Sequence, residues 1–174
     1  MPVVLTLDQV RSGGVGPLPP GGVLHVCENP TVVEVVAERW ERAADTIRRM
    51  ETPGTAGPVL VCTSGQPSTA AVELLGILSA AGAEVRYHGD FDWAGLKIAR
   101  SLGGHVDWVP WRFTAADYRA AVRQNQPSLQ LTGRPAESPW DPGLAEAMAE
   151  SGLAIEEEAV AELLAADVLV DQVR

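Results

Sequence analysis

The 174-residue sequence has only two cysteines, no long apolar run and no excess of positive charge. Each shortage excludes something. Two isolated cysteines, Cys27 and Cys62, do not make a zinc framework, which needs closer pairs or histidine company, so both read as small buried core residues within strands. No stretch reaches the roughly 18 apolar residues that a membrane span requires. The opening MPVVLTLDQVRSGG lacks the basic start and extended apolar core of a secretory signal, so the expected compartment is the cytoplasm. Thirteen Lys and Arg against 23 Asp and Glu leave a net charge of −10, which argues against free-standing nucleic-acid binding, because phosphate affinity comes mainly from cations. If DNA is a partner, metal ions or another domain must supply positive charge. No internal repeat, low-complexity tract or coiled-coil heptad is present. A glycine-rich phosphate loop is missing after the first strand pattern, which argues against an ordinary nucleotide-binding domain.

What remains is a globular composition, 46% apolar and 21% charged, of a length that suits one domain with a substantial core. Residues 1–22 form an N-terminal segment ending in the Gly/Pro-rich RSGGVGPLPPGG, and residues 23–174 form the domain with a C-terminal helical extension. VLHVCEN, VLVCTSGQP, EVRYHGDFD and the start of HVDWVPWRF are β-branched or apolar runs that end in polar turns. Between them the spacing predicts helices over about 31–50, from Ser68 or Thr69 to Gly82, and over about 93–102. The stretch TAADYRAAVRQ reads as a short helix, PSLQLTGRPAESPWDPG as an irregular connection, and LAEAMAESG and IEEEAVAELLAADVLV as two further helices. Alternating strands and helices indicate an α/β fold with a central parallel four-stranded sheet and right-handed crossovers, whose functional residues belong in the loops after strands.

Those loops offer Glu28, then Ser64 with Gly65, then Asp90 with Asp92. In an extended segment residues i and i+2 point the same way, so Asp90 and Asp92 present two carboxylates to one hard cation while Phe91 turns toward the core. Mg²⁺ takes one or two carboxylates, several waters and substrate phosphate oxygens. Without a cation, three neighbouring carboxylates repel and at least one pKa rises. The plain alternatives are a turn plus helix cap for Asp-x-Asp, and a loop acid ahead of a helix for Glu28.

Taken together, HVCENP, CTSGQPS and HGDFDWAG resemble the Toprim domain of topoisomerases, primases and some nucleases. GDFDWAGLKIA is similar to the corresponding segment of the topoisomerase VI A subunit, with Trp93 and Ala94 replacing the usual proline and aromatic. TLDQV and VPWRFTAADY extend the likeness to proteins with a DUF2399 domain, typified by the Toprim nuclease subunit of Wadjet-type anti-plasmid systems, over about residues 3–169. That resemblance implies a Toprim (Rossmann-like) fold and metal-dependent hydrolysis of DNA. Glu28 is then the acid/base residue or a shared metal ligand, Asp90 and Asp92 are the main Mg²⁺ or Mn²⁺ ligands, and Ser64 and Gly65 approach a phosphate. It also implies DNA and SMC-like or other defence-complex subunits as partners, and a DNA-binding region N-terminal to this chain. The other reading is a Toprim lobe that binds DNA or assembles a complex without cutting.

Tyr87 and Tyr118 are the only tyrosines, one in a strand and one in a helix, and neither suits a topoisomerase-like nucleophile. His88, two residues before Asp90, either enters the same cleft as an outer-shell group or is structural. Glu157 and Glu158 either favour the positive end of the last helix or join the outer shell. Trp108, Trp111 and Arg112 either contact nucleic acid or pack against the adjoining helix. Lys97 and Arg100 either touch a phosphate or face water.

Overall fold

The computed structural model describes residues 2–13, 15, 16, 18, 21–49, 57–124 and 129–171. The breakers expected at 51–56 and the expected helix end at Met50 lie outside them. A short helix, α1 (Leu7–Arg11), opens the chain. Its capping box is reciprocal: the Thr6 hydroxyl accepts from the Gln9 amide, and the Gln9 side chain accepts from the Thr6 amide.

Four strands, β1 (Val23–Cys27), β2 (Leu60–Cys62), β3 (Glu84–Tyr87) and β4 (Val109–Pro110), build one parallel sheet in the order β2-β1-β3-β4. The connecting helices are α2 (Pro30–Arg49), α3 (Thr69–Ala80) and α4 (Trp93–Leu102), as the alternation of patterns requires. Leu24, Val26 and Cys27 of β1 are completely buried, as befits a central strand covered on both faces. Arg11 of α1 reaches Glu73 of α3, tying the N-terminal helix to the second crossover.

Register sets up the chemistry. Val26 pairs with Val61 on one side and Tyr87 on the other, and Cys27 pairs with Cys62. The chain therefore leaves β1, β2 and β3 at one edge and almost one level. Cys62 is only half-buried, which corrects the expectation that both cysteines are core: it lies on the outer strand β2, whose residues are all partly exposed.

Beyond β4 come α5 (Ala115–Gln124), β5 (Leu129–Gln130), α6 (Pro142–Ser151), β6 (Leu153–Ala154), a 3-10 turn (Glu157–Val160) and α7 (Ala161–Asp171). The stretch expected to be an irregular connection contains β5, which pairs antiparallel with β6. The last helix starts later than its pattern suggests. Ile155 is held in a bridge to Phe91, with amides and carbonyls exchanged at 2.9 and 3.3 Å, so helical winding begins only after it. α7 packs along α2. Among the described residues no helix is long and apolar enough to cross a membrane.

Candidate functional site

The residues 87–92 alternate between two environments. Tyr87 is fully buried and its hydroxyl donates to Glu28 Oε1. His88 turns its ring among Phe91, Phe113 and Trp111, with centroids 5.3–6.2 Å away, and its Nδ1 meets the Trp111 carbonyl at 2.8 Å. Burial pushes its pKa down to about 4, so the ring is neutral. His88 therefore does not share the acidic cleft; β3 ends at Tyr87, and the strict two-residue alternation ends with it. Phe91 is 1% exposed and packs tilted against Phe113 and edge-on to Tyr118, as expected for the residue between two outward carboxylates.

Asp90 and Asp92 each commit one oxygen to the backbone. Asp90 Oδ1 accepts from the Glu157 amide at 2.7 Å. Asp92 Oδ1 accepts from Gly95 at 2.7 Å and caps α4. The helix-cap reading of Asp92 is thus correct for one of its oxygens. Among the described residues Asp90 Oδ2, Asp92 Oδ2 and Glu28 Oε2 have no hydrogen-bond partner in the protein.

Two glycines make this packing sterically feasible. A Cβ on Gly89 would lie 2.1 Å from Glu28 Oε1, because the β1–β3 register sets Gly89 beside Glu28. A Cβ on Gly95 would lie 2.2 Å from the Asp90 carbonyl oxygen. The glycine three residues after Asp92 is therefore a packing requirement of the loop.

Glu157 is the residue whose role the sequence understates. Completely buried, its carboxylate accepts from the amides of Glu28 and Asn29 at the start of α2, at 3.0 and 2.5 Å. Its own amide holds Asp90. It clamps the loop after β1 to the loop after β3, while Glu158 accepts from the Asn29 side chain. The expected attraction to a helix N-terminus is real, but the helix is α2, not its own. No local pattern reveals this, since the partners lie 128 and 129 residues away.

Burying so many acids together has an electrostatic consequence. Glu28, 6% exposed, is pushed up to about 8, mainly by burial and further by Asp90 and Asp92, although the Tyr87 hydrogen bond opposes the rise. Burial, with the charges of Glu28 and Asp90, pushes Glu157 up to about 9 against two stabilising amides. Asp90 is raised too, chiefly by burial. The rise expected for crowded carboxylates occurs, with loss of water as its first cause.

Ser64 and Gly65 turn the chain after β2 with φ of 54° and 82°. The Gly65 amide is already donated to the Glu28 carbonyl at 3.1 Å, so it braces the β1 loop; Ser64 is exposed. Trp111 and Arg112 do not face outward for nucleic acid: both bind Asp167 of α7, Trp111 through its indole N–H at 3.2 Å. Trp108 packs between Tyr87 and Trp140. Tyr118 donates to the Leu153 carbonyl; with Tyr87 it is buried and bonded, which removes both as nucleophiles.

Among the described residues no three His, Cys, Asp or Glu side chains converge into a ready-made cation cage. The donor set is nonetheless all carboxyl oxygen, with free oxygens on Asp90, Asp92 and Glu28 among the described residues. This fits a hard divalent cation that keeps most of its waters and takes one or two carboxylates. A family model described as "Protein of unknown function C-terminus (DUF2399)" matches residues 3–168. No curated protein matches the chain.

Proposed function

The chain belongs to the DUF2399 family, and from that premise we propose that it is a Toprim-type nuclease module that hydrolyses DNA phosphodiester bonds with Mg²⁺ or Mn²⁺. The observation that carries this reading is that Glu28, Asp90 and Asp92 share the carboxyl edge of a parallel sheet, each with an oxygen free of protein partners among the described residues. Bound there, the cation would polarise a phosphate oxygen and lower the pKa of water. Asp90 and Asp92 would hold it, their carboxylates fixed in direction by the Glu157 amide and the α4 amino terminus. Glu28, raised to about 8, stands near neutrality in the free protein and accepts or returns the proton of the attacking water. Ser64 lies at the same edge, where its hydroxyl meets a phosphate.

In the larger setting, the module acts on DNA within an anti-plasmid, Wadjet-like assembly, alongside SMC-like subunits and an N-terminal DNA-binding region. The kinship of the site to the topoisomerase VI A subunit belongs to the same proposal. A second reading, a lobe that binds DNA or assembles a complex without cutting, draws support from the lack of a closed cage among the described residues.

Incubation of supercoiled plasmid with the chain in Mn²⁺ or Mg²⁺ tests the two. Relaxed and linear products should appear with metal, vanish with chelator, and form at least about 100-fold more slowly with Asp92→Ala, the usual scale for a lost electrostatic participant. Intact plasmid, together with no heat of Mn²⁺ binding by calorimetry, would establish the assembly reading instead.

A further inference from the structure

The chain has 13 Lys and Arg, and several of them are neutralised locally: Arg11 by Glu73, Arg39 by Glu162, Arg86 by Glu84 and Arg112 by Asp167. The outer face of α4 is one of the exceptions. Lys97 meets only the carbonyl oxygen of Arg134, at 3.2 Å, and faces no carboxylate among the described residues. Arg134 is exposed and likewise makes no ion pair among the described residues. Arg100 approaches Glu137 at 3.5 Å, with both side chains largely in water, a contact of little strength. Together Lys97, Arg100, Pro135, Ala136 and Glu137 line an open cleft of about 430 Å³.

This cleft has a direction. α4 begins at Asp92, and Ala94, Lys97 and Arg100 follow on its exposed side. At 1.5 Å per residue, Lys97 lies about 7.5 Å and Arg100 about 12 Å along the axis from the acidic site. They are successive on one face, about 4.5 Å apart along the helix axis. The connection carrying Arg134 and Pro135 forms the second wall, pinned to α4 by the Lys97 hydrogen bond.

We propose that Lys97, Arg100 and Arg134 form a track for the phosphate backbone of duplex DNA, leading it from the cleft beside α4 toward Asp92. The track rests on the nuclease reading for its destination, but it is tested by binding alone. The acidic composition does not forbid it: the positive charge is needed only along one short path, and among the residues lining the cleft a single carboxylate, Glu137, stands against Lys97 and Arg100.

The experiment is fluorescence anisotropy of a labelled 30-base-pair duplex titrated with the chain in EDTA, repeated from low to moderate salt. The doubly substituted Lys97→Ala, Arg100→Ala protein should bind at least about fivefold more weakly at low salt. Its dependence of log K on log salt should be shallower by about 1.8, the share of two phosphate contacts. Arg119 and Arg123 on α5, exposed and without carboxylate partners among the described residues, provide the control, and Arg119→Ala, Arg123→Ala should stay within about twofold. An unchanged slope for the α4 variant, an equal loss in the control, or no binding by the unaltered chain would overturn the track. Plasmid cleavage that persists in spite of such a result would retain the nuclease and discard only the track. Binding through Lys97 and Arg100 without cleavage in Mn²⁺ would do the reverse.

Discussion

Residues 87–92 feed two regions of opposite character. On one side His88 and Phe91 enter an aromatic layer with Phe113, Tyr118 and Trp140, where rings lie 5.2–5.5 Å apart and Phe113 stacks on Trp140. On the other, Asp92 joins Asp90, Glu28 and Glu157, and burial raises the proton affinity of the last three. The aromatic side gains from every ångström of burial. The acidic side opposes its own burial and is held in place by amides, a tyrosine hydroxyl and glycine clearances. Stability resides in the first region and the proposed chemistry in the second, and a single residue step separates them.

The sharpest way to break this division is Phe91→Ala, which should cost about 3–5 kcal/mol of unfolding free energy, read from urea denaturation. A loss below about 1 kcal/mol would mean that the aromatic layer does not carry the fold. Next comes Gly95→Ala, whose Cβ meets a backbone oxygen at 2.2 Å. It should cost about 3 kcal/mol through forced backbone movement. Gly76→Ala in the middle of α3, where a Cβ meets nothing within 4 Å, should instead add about 0.5–1 kcal/mol. Equal effects at the two glycines would show that the loop beside Asp90 is not tight.

The acidic side is tested by the dependence on pH. Glu28 and Glu157 have folded pKa values of about 8 and 9 against an ordinary 4.5, so the folded state binds their protons more firmly than the unfolded chain. Their contribution is complete below pH 4.5, declines as pH rises toward 8 to 9, and is flat above. In chelator, stability should fall between pH 5 and 8, with a slope of up to about 1.4 kcal/mol per unit for each of the two carboxyls. Glu157→Gln should make that slope shallower. A stability that rises over the same interval would contradict the electrostatic account of the acidic edge.

Much of this was legible in the residues. Periodicity and turn chemistry disclose the alternation of strands and helices, and the i, i+2 rule separates Asp90 and Asp92 from Phe91. The helix start expected at Ser68 or Thr69 is where α3 begins, and the Ser68 side chain accepts from the Ala71 amide there. What escaped is long-range. β5 and β6 are two residues each and exist only because they find one another. Ile155 fits a helical pattern, yet its pairing with Phe91 holds it extended. Glu157 looked like an acid at its own helix start, since local sequence carries no sign of the amides it serves in another loop. His88 has the parity of Asp90, but the strand stops before parity can act.

The Glu157 clamp also has a consequence in time. Glu28 leaves the ribosome 129 residues before the partner that holds its loop, an interval of roughly 6 to 26 seconds at about 5–20 residues per second. During that interval the three acids proposed to act on DNA lack the brace that sets their positions. The edge becomes fully organised only when the 3-10 turn and α7 close over α2, so a nascent chain carries the acidic residues before it carries an assembled site.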